Sequence, residues 1–185
     1  SFLLYNRSLY DRYYQLYDSS IDRKTDLNQA SIDAILLEVS KVKNFNSLLD
    51  VGCGNGYLLS LIQNTTQELK GQLEGYDINP PSLDAINTIT SNEGIVEDLV
   101  KPRDIIISTH LLEHVTRPYQ VFQHLLSLAN KLLIIVVPRQ EYFRYTFDLH
   151  LSFFPSEQSL RVQLGLPESA NVDILDGDFF ITIHK

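Results

Sequence analysis

The sequence predicts an α/β domain: a mostly parallel sheet of seven strands, helices on both faces, and an antiparallel hairpin at the carboxyl end. Three observations carry that prediction. The apolar run around Leu48 and Leu49 ends on Asp50, and glycines follow at alternate positions, Gly52, Gly54 and Gly56, before a helical pattern over 57–62. Apolar segments and helical patterns then alternate, the sequence form of parallel strands joined by crossover helices. At the end, Asp176-Gly177-Asp178 lies between apolar segments 172–175 and 179–184, a hairpin signal.

The elements follow in order. Tyr10, Tyr13, Tyr14 and Tyr17 recur at the spacing of one helical face, so residues 1–25 are expected to form a helical cap or lid docked through its aromatic rings. Residues 26–42 predict a helix with Ile32, Ile35, Leu36 and Val39 on one face. The first strand is 47–50 and the second 71–77, closing on Asp77. Asn79 can cap the next helix, whose first turn suits Pro80 and Pro81. Residues 94–98 read as the third strand, again closing on an acid, and 104–108 as the fourth. A helix over 116–129 carries Val121, Leu125, Leu126 and Leu128, and the fifth strand, 131–137, stops at Pro138.

Bulk properties bound the function. At 185 residues the chain reads as one domain, 1–185, in which residues 138–165 form an insertion after the fifth strand that is expected to roof the binding site. A formal charge of -8 argues against a broad phosphate-binding surface, so no nucleic-acid partner is expected. The apolar stretch 132–137 is too short to cross a bilayer, no signal-peptide pattern opens the chain, and no membrane partner is expected. The single Cys53 cannot form an internal disulfide, which fits a reducing cytoplasm. With no methionine in the sequence, the natural initiator is expected upstream of Ser1.

The glycine spacing separates two kinds of nucleotide-binding turn. A dinucleotide fingerprint is G-x-G-x-x-G, whereas residues 50–56 read D-x-G-x-G-x-G. That form resembles the first motif of class I S-adenosylmethionine-dependent methyltransferases, and the closing hairpin is similar to theirs. The resemblance covers roughly residues 30–185. It implies a Rossmann-like fold, S-adenosylmethionine as cofactor and S-adenosylhomocysteine as product. Asp50, Gly52, Cys53, Gly54 and Gly56 would then hold the amino-acid end of the cofactor. Asp77 lies where a ribose-binding acid should, and its carboxylate suits two hydroxyls. Ile78 would pack on adenine, Asp98 beside Leu99 would accept from the adenine amino group, and Ser108, Thr109 and His110 would pass under the cofactor. Cys53 invites a nucleophile reading, but it sits in a tight turn with no histidine adjacent in sequence, and the plainer reading is a filler.

Histidines carry the remaining chemistry. If 109–115 is helical, His110, Glu113 and His114 share one face, a spacing that can bind a divalent metal. The stretch resembles the "LEH" segment of many small-molecule methyltransferases. It also resembles the E-x-x-E-H metal site of ubiquinone-type and small-RNA 2′-O-methyltransferases, with His110 in place of the first glutamate. His150 would be a fourth ligand. The plainer reading, and the one expected, has Glu113 and His114 bracing the loop with no metal.

Methyl transfer is an in-line displacement, so the enzyme must align its reactants and, for a hydroxyl acceptor, remove a proton. His150 is the first candidate base and His110 the second, while His124 and His184 read as structural. Residues 142–147 with Phe153 and Phe154 suggest an aromatic-walled pocket holding one cation, Arg144. Related methyltransferases often carry "D-x-H", an aromatic and a helix start, which Asp148-Leu149-His150, Phe153 and residues 155–160 match. The expected activity is O-methylation of a small polar molecule, a cell-surface sugar or secondary metabolite. N- or C-methylation on the same scaffold and a non-catalytic cofactor-binding module are the alternatives.

Overall fold

The structure is a computed structural model that describes residues 12, 25–65, 72–78, 89–143 and 149–185. The N-terminal helix expected over 1–25, the helix expected after Asn79, and Arg144 lie outside these residues, Arg12 and Thr25 apart.

The first described helix, α1 (Gln29–Lys41), starts where Asn28 holds extended backbone and its side chain accepts from Ser31 N at 2.8 Å. Ile32, Ile35 and Val39 form its buried face. Then come β1 (Ser47–Val51), α2 (Tyr57–Thr65), β2 (Gln72–Asp77), β3 (Ile89–Glu93) and β4 (Arg103–Thr109). The chain continues through α3 (Pro118–Leu128), β5 (Ala129–Pro138), α4 (Glu157–Leu164), β6 (Asn171–Leu175) and β7 (Asp178–His184).

The described strands form one seven-stranded sheet in the order β3-β2-β1-β4-β5-β7-β6. The first five strands run parallel, and β7 pairs antiparallel with both β5 and β6. Alternate strand residues feed two cores. Leu48, Ile105, Leu132 and Ile134 join the layer of α1 and α2, while Leu49, Ile106, Leu133 and Ile135 join that of α3 and α4. With both faces covered, β5 is buried along nearly its whole length, which is why it read as a continuous apolar run. The chain reverses its progression across the sheet at β1, placed between β2 and β4. A crevice opens beyond the strands' carboxyl ends at such a reversal, where ligands of open α/β sheets bind.

The third strand is displaced from its expected place. It spans Ile89–Glu93, pairing in parallel with 73–77 of β2, and Val96–Asp98 is a 3₁₀ turn. The physical reason lies at Gly94. Tyr76 OH donates to Ile95 O at 3.1 Å, and a Cβ on Gly94 would fall 2.0 Å from that hydroxyl. The glycine marks where the tyrosine crosses the exit of the strand, and the apolar pair Ile95-Val96 belongs to the turn beyond it. Similarly, 109–115 is not an α-helix: Thr109 ends β4, and Leu112–His114 is a single 3₁₀ turn.

Candidate cofactor and acceptor site

The glycine turn leaves β1 with positive φ at Gly52 (80°), Gly54 (50°) and Gly56 (75°). Two successive amides, Gly52 N and Cys53 N, donate to Tyr76 O at 2.7 and 3.3 Å, and Gly54 N donates to Asp77 Oδ2 at 3.0 Å. The end of β2 therefore holds the turn from beneath. Gly75 makes this contact possible, because a Cβ there would lie 2.8 Å from Cys53 Sγ. A Cβ added at Gly54 would meet no protein atom, so backbone conformation alone calls for glycine there, and the space above it is open.

Asp50 closes β1 at 1% exposure, and its Oδ1 has no hydrogen-bond partner. Burial, with the Asp77 charge beside it, pushes its carboxyl up to about 7. Burial and the same two acids push the Cys53 thiol well above its ordinary value, so it keeps its proton, as a filler would. Ser108 Oγ donates to Val51 O at 2.9 Å and ties β4 to β1. Ile78 is half-buried beyond β2, Leu99 is buried with its carbonyl 2.8 Å from His124 Nε2, and Asp98 is exposed at the end of its turn.

His110 leaves β4 with φ 49°, its amide donating to Val136 O. Its ring lies between two carboxylates: Nδ1 is 3.2 Å from Glu113 Oε1 and Nε2 is 3.3 Å from Asp178 Oδ2. These are charge contacts, off the line of a hydrogen bond, since Nε2 and both Glu113 oxygens lack aligned partners. Burial alone would lower this imidazole, but Asp178 and Glu113 outweigh it and raise it to about 10. Both ring nitrogens of His110, the second candidate base, thus face carboxylates that favour its protonated form. Asp178 also accepts from Asn28 Nδ2 at 2.9 Å, so the same tie reaches the cap of α1.

Glu113 is fully buried, and its carbonyl accepts from Leu151 N and Ser152 N at 2.7 and 3.0 Å. Those bonds bring the segment bearing His150 against the turn. His114 and His150 meet edge to face at 4.8 Å between ring centres. Of the four candidate ligands, the fold gathers Glu113, His114 and His150, with one donor atom of each within 4.8 Å of the others. His110 lies instead toward Asp178. Phe153 stands between His150 and the exposed Tyr142, with ring centres at 6.5 and 5.2 Å. Phe154 is not a pocket wall: it is fully buried in the core, and its carbonyl accepts from Gln140 N. Leu111 packs against Gly52, 3.4 Å from where its Cβ would be, so the histidine turn abuts the glycine turn. Sequence reasoning missed Asp178, Gln140 and Gly75. Asp178 was legible only as a hairpin residue, and nothing local distinguished the other two.

A family model described as a methyltransferase domain matches residues 22–168. The chain belongs to the methyltransferase-domain family. The resemblance read from residues 50–56 is borne out at the level of family and fold. This methyltransferase-domain chain is 28% identical over 170 residues to the tRNA U34 carboxymethyltransferases of Vibrio vulnificus strains YJ016 and CMCP6. The match covers 78% of this chain and 50% of each relative, so the chain spans about half the length of the curated relatives it matches. Among solved structures, the magnesium protoporphyrin IX methyltransferase of Synechocystis PCC 6803 with bound SAM superposes with TM-score 0.64 at 17% identity, over 97% of this chain and 96% of that one. A plantazolicin methyltransferase in complex with SAH gives 0.63 at 16%, over 93% and 88%. At these identities the likeness is one of fold. No described helix is long and apolar enough to cross a membrane.

Proposed function

We propose that this chain is an S-adenosylmethionine-dependent methyltransferase that methylates an oxygen of a small polar molecule, a cell-surface sugar or secondary metabolite, and releases S-adenosylhomocysteine. The observation that carries the reading is the buried, unbonded Oδ1 of Asp50 beneath a turn with three left-handed glycines. The group fits: Asp50 would meet the ammonium of its amino-acid end, Gly54 offers the open space, and Asp77 would accept from the ribose hydroxyls. Ile78, Asp98 and Leu99 would border the adenine, and Ser108, Thr109 and the backbone of His110 the floor. Bound there, the cofactor supplies an electrophilic methyl on a leaving group that departs neutral.

The chain's own residues align the acceptor and take its proton. His150 is the residue we place at the acceptor, because its segment is tied to Glu113 and thereby to the turn beside Gly52. The charge of -8 supports a small molecule over a nucleic acid, and the single, buried Cys53 is in keeping with a reducing cytoplasm. Calorimetry with S-adenosylhomocysteine and with NAD tests the reading: the first should bind and the second should not, and the reverse result would sink it.

Two further outcomes are expected. Asp77→Ala should weaken S-adenosylhomocysteine binding by about 1.5–3 kcal/mol, the scale of hydrogen bonds to a charged group. Unchanged affinity would remove Asp77 from the ribose. For Asp50, held near 7, only the ionised form can pair with an ammonium. Affinity should therefore rise about tenfold from pH 6 to pH 8, as the carboxyl gives up its proton. Asp50→Asn should flatten that rise, and a slope that persists in the variant would refute the pairing.

A further inference from the structure

We infer that Gln140 is a positioning residue for His150: its side-chain carbonyl accepts the Nδ1 proton of the neutral ring and so fixes the lone pair on Nε2. Gln140 Oε1 lies 2.5 Å from His150 Nδ1. A neutral imidazole carries its proton on one nitrogen and its lone pair on the other, so the partner of one nitrogen decides the chemistry of the other. A carbonyl oxygen can only accept, which makes Nδ1 the donor. In the methyl-transfer reading, on which this rests, His150 takes the acceptor's proton.

Both members of the pair are seated by their backbones. Gln140 follows the end of β5, its amide donates to Phe154 O at 3.1 Å, and Arg139 N before it donates to Gly177 O at 2.9 Å. On the other side, Leu151 N and Ser152 N donate to Glu113 O, and Ser152 Oγ donates to Val115 O at 3.1 Å. Leu149, next to His150, holds φ 54°, left-handed backbone that a leucine adopts only at a cost. Such strain persists where the surroundings over-determine it, and here it sets the direction in which His150 leaves the chain. Glu113 is the rival partner, since one of its oxygens comes within 4.8 Å of a His150 ring nitrogen. It is not the acceptor: neither oxygen has a hydrogen-bond partner, and its charge contact is with His110 at 3.2 Å.

An amide suits this position for a physical reason. A carboxylate would hold the ring through a full charge and strengthen its grip on a second proton, whereas an amide orients the ring without that charge. A histidine that moves protons needs such a partner, one group fixing tautomer and orientation while the opposite nitrogen does the chemistry. The rings of His114 and Phe153, with centres 4.8 and 6.5 Å from that of His150, flank it and limit its rotation about the Gln140 bond. The acceptor's hydroxyl proton would pass to the Nε2 lone pair, and the pair from the O–H bond would stay on the oxygen that takes the methyl.

Long-range proton–nitrogen NMR of the whole, isotope-labelled chain at about pH 8.5, above the ordinary imidazole range, reads each ring's tautomer with no acceptor present. The His150 signals are those lost in His150→Gln. The parent ring should carry its proton on Nδ1. Gln140→Leu, similar in volume but without an acceptor atom, should move that proton to Nε2, wholly or in exchange. Gln140→Glu restores an acceptor oxygen, so Nδ1 should stay protonated and its proton should shift downfield, as in charge-assisted hydrogen bonds. A purely structural role for Gln140 would leave the tautomer alone in both variants. A parent ring protonated on Nε2, or an unchanged tautomer in a folded Gln140→Leu, would overturn the inference. Should circular dichroism show Gln140→Leu unfolded, Gln140→Glu decides, and an unmoved Nδ1 proton there overturns it equally. S-adenosylhomocysteine calorimetry on the same samples separates the two readings: bound with the wrong tautomer, only the positioning role fails; unbound with the expected tautomer, only the methyl-transfer reading fails. With an acceptor in hand, Gln140→Leu should lower kcat at least about tenfold, within the roughly 10⁴-fold that a wrong tautomer costs a catalytic triad.

Discussion

Replacing His150 by alanine should lower the methylation rate by about 10²–10⁴-fold, the range of a lost acid-base contribution, while S-adenosylhomocysteine affinity stays within about twofold of the parent. The split follows from placement. His150 is joined to the histidine turn through Glu113, whose carbonyl accepts from Leu151 and Ser152. On the proposed role at the acceptor, His150 alters the chemical step and leaves cofactor binding alone. Its ring also meets His114 edge to face and touches Phe153, so the variant opens some space. His150→Gln fills more of that space and should be equally impaired. Full activity in either variant, measured as S-adenosylhomocysteine release with an acceptor in hand, would take His150 out of the reaction.

Arg103→Ala should destabilise the fold by about 3–5 kcal/mol, the second large effect. Arg103 opens β4 and pairs through Nη2 with Glu74 of β2, both side chains being buried. Its Nη1 donates to the carbonyls of Lys101 and Pro102 at 3.0 and 3.1 Å. Removing the guanidinium leaves a carboxylate shut away from water with its charge uncompensated, which costs far more than an exposed pair. For a domain of this size the midpoint of thermal unfolding should fall by roughly 6–20 °C. Replacing both residues with apolar side chains of similar volume should recover most of the loss. A change under about 1 kcal/mol in urea unfolding of the single variant would show that water reaches Glu74.

Residues with a local reason to be where they are could be read from sequence. The turn after β1 announced itself because backbone at φ 50–80° calls for glycine, and three glycines stood at alternate positions. The hairpin announced itself through Asp176 and Gly177, both in left-handed backbone. The third strand did not, because the apolar pair Ile95-Val96 is more conspicuous than Ile89-Thr90 and no local rule says that Tyr76 must pass where Gly94 stands. The setting of His110 stayed hidden for a similar reason. Its partner Asp178 comes from the far end of the chain, and only the fold reveals that both ring nitrogens face carboxylates. The gathering of Glu113, His114 and His150 was half visible: the first two are neighbours, but His150 arrives through backbone bonds that leave no mark in composition.

The bond from Asn28 to Asp178 spans 150 positions, and Asp178 in turn faces His110. Such a closure is among the slowest to form, since most of the polymer must first be brought together. A nascent polypeptide emerging from the ribosome could lay down the central strands early, yet the crevice beside His110 would stay unfinished until the final strand docked. Shortening the carboxyl end should therefore abolish function well before it abolishes secondary structure.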